Sequence, residues 1–281
     1  MSLRRRLLRL VLILTLTPVI FLLSCQSKLM YFPRSYSSAA LNQLAGRKGQ
    51  TLTYQTGQGM QKAYYLPPRA GAEANAPLWL CFAGNGSLAL DWLDLIEGWD
   101  DRFAYLLIDY PSYGECAGKP TPANIRENGA AAFTALAQHL KTDEAALQTR
   151  SHVLGHSLGA AAGLLAAEKL GLRRAVLIAP FTTMTDMARK IIGWPLCHLN
   201  CHRFDNRATL KAVAAREGAL VIILHGSEDE VIPVAMGREL AASHPSVVRF
   251  HELPAIHHND ILFRRAGEIG AVMREVAQTS K

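Results

Sequence analysis

Residues 155–163 read "GHSLGAAAG", a serine between two glycines, preceded by a histidine and followed by small apolar residues. A G-x-S-x-G pattern arises by chance in chains of ordinary composition, so its neighbours decide what it means. Before it, "SHVLGH" (151–156) is an apolar run of strand type. After it, "LGAAAGLLAAEKL" (158–170) is a good helix former. Strand, tight turn and helix is the setting in which a serine hydroxyl is presented on a strained elbow. Gly155 and Gly159 suit such a turn because a β-carbon would clash there, and Ala160, Ala161 and Ala162 let the helix lie close to a sheet. The competing reading is a serine that merely caps the helix N-terminus.

Further out, the chain alternates between two textures. "TLTYQT" and "QKAYYLPP" flank "GQG" as a hairpin, and "APLWLCFAG", "RFAYLLIDY", "SHVLGHS", "RRAVLIAP", "ALVIILHG" and "VVRFHELP" follow as apolar runs. Helix-compatible stretches at 89–97, 123–141, 158–170, 205–216, 234–243 and 260–277 separate them. Continuous apolar strands mean burial on both faces, so the pattern predicts an α/β fold with a mostly parallel central sheet and helices on both faces. In such sheets chemistry gathers at the carboxyl ends of the strands.

A serine hydroxyl needs a base within hydrogen-bond reach, and a carboxylate to hold that base in the right tautomer. Of ten histidines, His156 sits beside the serine at a turn that points it away, and His225 at a strand end reads as structural. His257 and His258 in "PAIHHND" lie on the loop after the last strand, from which a base can reach across the strand ends. "HGSEDEVIP" (225–233) offers Glu228, Asp229 and Glu230 on the preceding loop, with Asp229 preferred. Asp205 in "RFDN" reads as a helix cap.

"GHSLG", "HGSEDEVIP" and "IHHND", in this order, resemble the α/β-hydrolase superfamily, and most of all its membrane-anchored, ABHD-like serine hydrolases. "IDYPSYGECAGKPT" (108–121) resembles that family's "DYPGYGxSxGxPT" loop, with Cys116 where serine is usual, and "KLMYFP" (28–33) resembles the segment that follows the anchor. The likeness covers residues 28 to 277. It implies a triad of Ser157, Asp229 and His258, the last chosen over His257 because it occupies the family's "GHND" position. "CFAGNGS" (81–87) departs from the usual "FHGNAGN", with Ala83 in place of histidine. Oxyanion donors must be backbone N–H groups, so the expected pair, Leu158 and Asn85, survives that change.

The N-terminus carries Arg4, Arg5, Arg6 and Arg9, then an apolar run from Leu10 to Leu23 and "LLSC" ending at Cys25. That is a lipoprotein-type signal peptide (1–24) with Cys25 as the lipidation site. Gln26 behind the cysteine points to the outer membrane, facing the periplasm of a bacterial envelope. The alternatives are an uncleaved inner-membrane signal anchor and plain secretion. Residues 25–50 read as an anchor and linker segment, and 51–281 as the hydrolase domain. Without the four leader arginines the net charge falls from +7 to +3, and the remaining basic residues are scattered. No nucleic-acid footprint results.

"CHLNCH" (197–202) leaves three readings open: a Cys197–Cys201 disulfide, a metal site, or two free thiols. The stretch "FTTMTDMARKIIGWPLCHLNCHR" is either a lid, spanning 181–204, or an ordinary helical excursion. Tyr110 and Tyr113 either line the pocket or brace a loop. The expected activity is hydrolysis of a carboxylic ester or thioester in a small-molecule or lipid acyl substrate, with no metal or organic cofactor. The alternatives are an acyltransferase or peptidase using the same triad, or a non-catalytic envelope binding protein. Oligomeric state is not readable.

Overall fold

The computed structural model describes residues 3–278. Eight strands form one sheet: β1 (Gln50–Thr56), β2 (Gly59–Leu66), β3 (Leu78–Phe82), β4 (Ala104–Ile108), β5 (Ser151–His156), β6 (Arg174–Ile178), β7 (Leu220–Gly226) and β8 (Val248–Leu253). Their spatial order is β1-β2-β4-β3-β5-β6-β7-β8. The β1–β2 hairpin joins β4 antiparallel, and every pairing from β4 to β8 is parallel. All eight expected strands are present.

The helices are α1 (Leu3–Met30), α2 (Ser38–Gly46), α3 (Leu93–Ile96), α4 (Pro122–His139), α5 (Glu144–Thr149) and α6 (Leu158–Leu170). After these come α7 (Met184–Ile192), α8 (Asn206–Ala214), α9 (Val234–Ser243), α10 (Ile261–Arg264) and α11 (Ala266–Gln278). Side chains alternate across a strand. Leu78, Leu80 and Phe82 of β3 therefore pack with α4, α6, α8 and α9, while Trp79 and Cys81 pack with α2, α3 and α11. Both faces are covered, which is why the strands read as unbroken apolar runs. Each large side chain sealed in this way contributes about 1.5–3 kcal/mol.

The chain builds β3 and β4 toward one edge, then crosses over to place β5 on the other side of β3. That reversal opens a crevice at the carboxyl ends of β3 and β5. The "CFAG" and "GHSLG" segments sit there.

Two expectations need correction. Residues 31–46, read as linker, belong to the folded body: Tyr31 and Leu44 are buried in the two core clusters, and the Tyr36 hydroxyl donates to Asp109 Oδ2 at 2.6 Å. Their anchoring residues are too widely spaced to make a periodic signal. The Cys197–Cys201 disulfide is not formed. A tight turn over Leu196–Leu199 directs Cys197 into the interior, whereas Cys201 lies exposed with its Sγ near Leu199 O. Beyond these, α1 continues unbroken through Cys25 to Met30. By length and composition it could cross a membrane, with a mean hydropathy of 2.3 over its most apolar window and none of that window buried.

Candidate active site

Ser157 occupies the sharp turn between β5 and α6, with φ 57° and ψ −119°, a region that non-glycine residues enter only under constraint. The constraint is visible in its neighbours. A β-carbon on Gly155 would lie 2.2 Å from Gly159 O, and one on Gly159 would lie 2.0 Å from Phe82 O. The turn is thus pressed against the end of β3, and the Ser157 N–H is tied to Ile178 O at 2.8 Å. Its hydroxyl makes no helix-capping bond, which removes the capping reading.

The hydroxyl instead meets His258 Nε2 at 3.1 Å, and His258 Nδ1 meets Asp229 Oδ2 at 2.7 Å. A carboxylate only accepts, so Nδ1 carries the proton and Nε2 is left to accept from Ser157. All three side chains are buried or nearly so. His258 comes from the loop before α10 and Asp229 from the turn after β7, so three separate strand ends supply the set.

Asp229 is held from several sides. Its Oδ1 accepts the N–H groups of Val231 at 3.0 Å and Ile232 at 2.7 Å. The buried His225 donates from Nε2 to Ile232 O at 2.9 Å and lies 3.3 Å from Asp229 Oδ2. Burial alone would raise the Asp229 pKa, but the hydrogen bonds from His225 and His258 outweigh it and keep the carboxyl well below the ordinary range. His225 is therefore a positioning residue for Asp229, a role that its place four residues earlier in "HGSEDEVIP" could have signalled. Glu228 and Glu230 hold the exposed His257, 3.5 and 3.2 Å from its ring nitrogens, which separates that histidine from the serine. Asp205 caps α8 as expected, accepting from Ala208 N–H at 3.0 Å.

His156 does not simply point away. Its ring packs at a tilt against that of His258, and burial, then the nearby His258, push its pKa down to about 3. It is neutral at any ordinary pH.

The loop after β3 brings Asn85 to the same end of the sheet. Neither the Asn85 N–H nor the Leu158 N–H has a hydrogen-bond partner among the described residues. The loop is braced by its carbonyls: Tyr110 donates to Ala83 O, while Tyr113 and the Phe32 N–H donate to Asn85 O. The Asn85 amide donates in turn to Met30 O at 3.1 Å. Both tyrosines brace the loop, and the histidine that Ala83 replaces is not needed to hold it. Such a constellation can activate a hydroxyl for attack and offer two N–H groups to a developing negative charge.

The sequence profile described as the alpha/beta hydrolase family matches residues 79–220, half of the chain. The chain belongs to the α/β-hydrolase family. A similar chain is the uncharacterized protein Rv2307c of Mycobacterium tuberculosis, 27% identical over 245 residues that cover 86% of this chain and 83% of the relative. Among solved structures, the Pyrococcus furiosus esterase PF2001 superposes with a TM-score of 0.66 at 12% identity, over 89% of this chain and 97% of that one. An alpha-beta hydrolase from Vibrio vulnificus gives 0.66 at 16% identity, over 86% and 87%. At these identities the structures share the α/β-hydrolase fold with this chain.

Proposed function

We propose that this α/β hydrolase is a serine esterase or thioesterase working through an acyl-enzyme. The observation that carries this reading is the continuous chain Ser157 Oγ to His258 Nε2 at 3.1 Å and His258 Nδ1 to Asp229 Oδ2 at 2.7 Å. Ser157 attacks the acyl carbonyl as His258 takes its proton, and Asp229 stabilises the imidazolium that forms. The carbonyl oxygen, now negative, is held by the N–H groups of Leu158 and Asn85. His258 then protonates the departing alcohol or thiol as the tetrahedral adduct collapses to the acyl-serine. Water, deprotonated by the same histidine, attacks the ester and restores the serine. The similarly folded Pyrococcus furiosus protein is an esterase, which is in keeping with this chemistry.

The N-terminal segment fastens the enzyme to a bacterial envelope membrane, through a lipid on Cys25 or through α1 itself. Four arginines at the start of α1 favour a cytoplasmic N-terminus and a hydrolase body on the opposite side.

The test is labelling of the full chain with a fluorophosphonate probe, followed by mapping of the modified peptide. Labelling at Ser157, lost in Ser157→Ala, is the expected outcome. A folded protein that takes no label would leave a binding protein built on the hydrolase fold.

A further inference from the structure

We infer that the rim of the active site formed by α7 and the turn after it lies on the surface of the membrane that anchors the chain, and that a long-chain acyl substrate reaches the site from that bilayer. The inference rests on the serine-hydrolase reading for its substrate and on separate observations for its surface.

The first observation is a rigid connection. Gln26, at the end of α1, accepts from the Cys201 N–H at 2.7 Å and donates to Leu199 O at 2.7 Å. The next residue, Ser27, and Tyr31 about a turn later engage the two ring nitrogens of His202 at 3.0 and 3.2 Å. The anchor end and the 196–202 segment therefore move together. This holds whether the anchor is α1 or a lipid on Cys25, because the gripping residues follow Cys25.

Distance supplies the second. From Ser24, where the apolar run ends, to Met30 the helix rises about 9 Å, while the headgroup layer is roughly 6 Å thick. Leu29 and Met30 therefore emerge at the outer edge of the headgroup layer, and whatever packs against them lies on the membrane surface.

What packs there is apolar. Leu29, Met30, Met184, Met187, Ile191 and Leu196 line a narrow cavity of about 130 Å³ between α1 and α7. Met30, one of its lining residues, is the residue whose carbonyl the Asn85 amide holds, beside the proposed oxyanion N–H. Larger hollows of about 640 and 750 Å³ lie elsewhere, at the start of β3 and between β1 and α4.

Finally, the outer surface has the composition of an interfacial helix. Ile191 is 76% exposed and Trp194 75% exposed, next to the exposed Arg189 and Lys190. Lys190 reaches the carbonyls of Glu230 and Val231, which ties this edge to the Asp229 loop, and Val231 is itself exposed. Tryptophan with flanking cations is what the headgroup level of an anionic bilayer favours.

The experiment uses the full chain in phosphatidylcholine–phosphatidylglycerol vesicles, with and without brominated phosphatidylcholine. Trp79, Trp92 and Trp99 are buried, so the difference between wild type and Trp194→Phe isolates Trp194 fluorescence. That component is expected to be quenched by the brominated lipid and shielded from aqueous iodide. Hydrolysis of 4-methylumbelliferyl oleate carried in the vesicles is compared with that of water-soluble 4-methylumbelliferyl acetate. In Trp194→Ser the oleate-to-acetate ratio should fall about tenfold. Iodide quenching without bromine quenching overturns the membrane contact. An equal fall in both hydrolyses overturns entry from the bilayer. Bromine quenching in a protein that takes no fluorophosphonate leaves the docking surface standing and removes only the esterase reading.

Discussion

The imidazole of His156 lies against that of His258, with ring centres 5.0 Å apart and planes inclined by 35°. Two histidine rings this close cannot both carry charge without repulsion. Burial resolves this by keeping His156 neutral, its pKa about 3, so it serves as an aromatic wall for the imidazole that must become charged.

His156→Phe keeps such a wall and should leave the acid limb of the kcat/KM profile at its wild-type pH. His156→Ala removes it and should lower kcat about five- to tenfold, the equivalent of one aromatic contact. A limb displaced by a full pH unit in His156→Phe would show that His156 itself titrates in the active range.

Gly159 tolerates no side chain, because the nearest atom to an added β-carbon is backbone, the Phe82 carbonyl at 2.0 Å. Gly159→Ala must push α6 away from β3, at a cost of about 2–4 kcal/mol, and should abolish fluorophosphonate labelling. Thermal melts and labelling of the same sample check both effects. Full labelling with an unchanged melting temperature would show that the elbow is not under this constraint.

Tyr113 is the brace whose loss should separate positioning from folding. Tyr113→Phe removes the hydroxyl that donates to Asn85 O, and the Asn85 N–H loses its aim. We expect kcat to fall about tenfold with KM nearly unchanged, and a stability loss of about 1 kcal/mol. A KM effect with kcat intact would place Tyr113 in substrate binding instead.

Asp109 gives a pH signature. It is almost fully buried, and burial, opposed by the Tyr36 hydroxyl and the Ala89 N–H and reinforced by Asp91 and Glu115, raises its pKa to about 7. Its ordinary value is 3.8, so between pH 4 and 7 the folded state binds a proton that the unfolded state has lost. Stability therefore declines as pH rises through this window, by an amount on the order of 4 kcal/mol at most. Asp109→Asn keeps one acceptor oxygen for the Ala89 N–H and turns an amide N–H toward the Tyr36 hydroxyl, which can accept it, and should be more stable than wild type at pH 8 but not at pH 4. Urea midpoints at the two pH values decide it, and parallel slopes for both proteins would refute it.

The β-strands and the elbow were legible because their constraints are local. A strand covered on both faces must be apolar throughout, and a turn pressed onto a neighbouring strand must have glycine at two fixed positions. Asp229 and Ser157 could be placed on strand ends for the same reason. His258 was separated from His257 only by resemblance to a family motif. The geometric reason, the grip of Glu228 and Glu230 on His257, depends on how two loops meet.

The sequence by itself determined the layering of the molecule, the order of its strands along the chain, and the turn that bears Ser157. These follow from periodicity and steric exclusion within a few residues. Tertiary structure alone decided that His156 walls His258 and that Gln26 and Ser27 clasp a segment some 175 residues away. Each of these is a contact between side chains remote in sequence. Its existence depends on where the sheet brings the strand ends together, and no short window of residues encodes that.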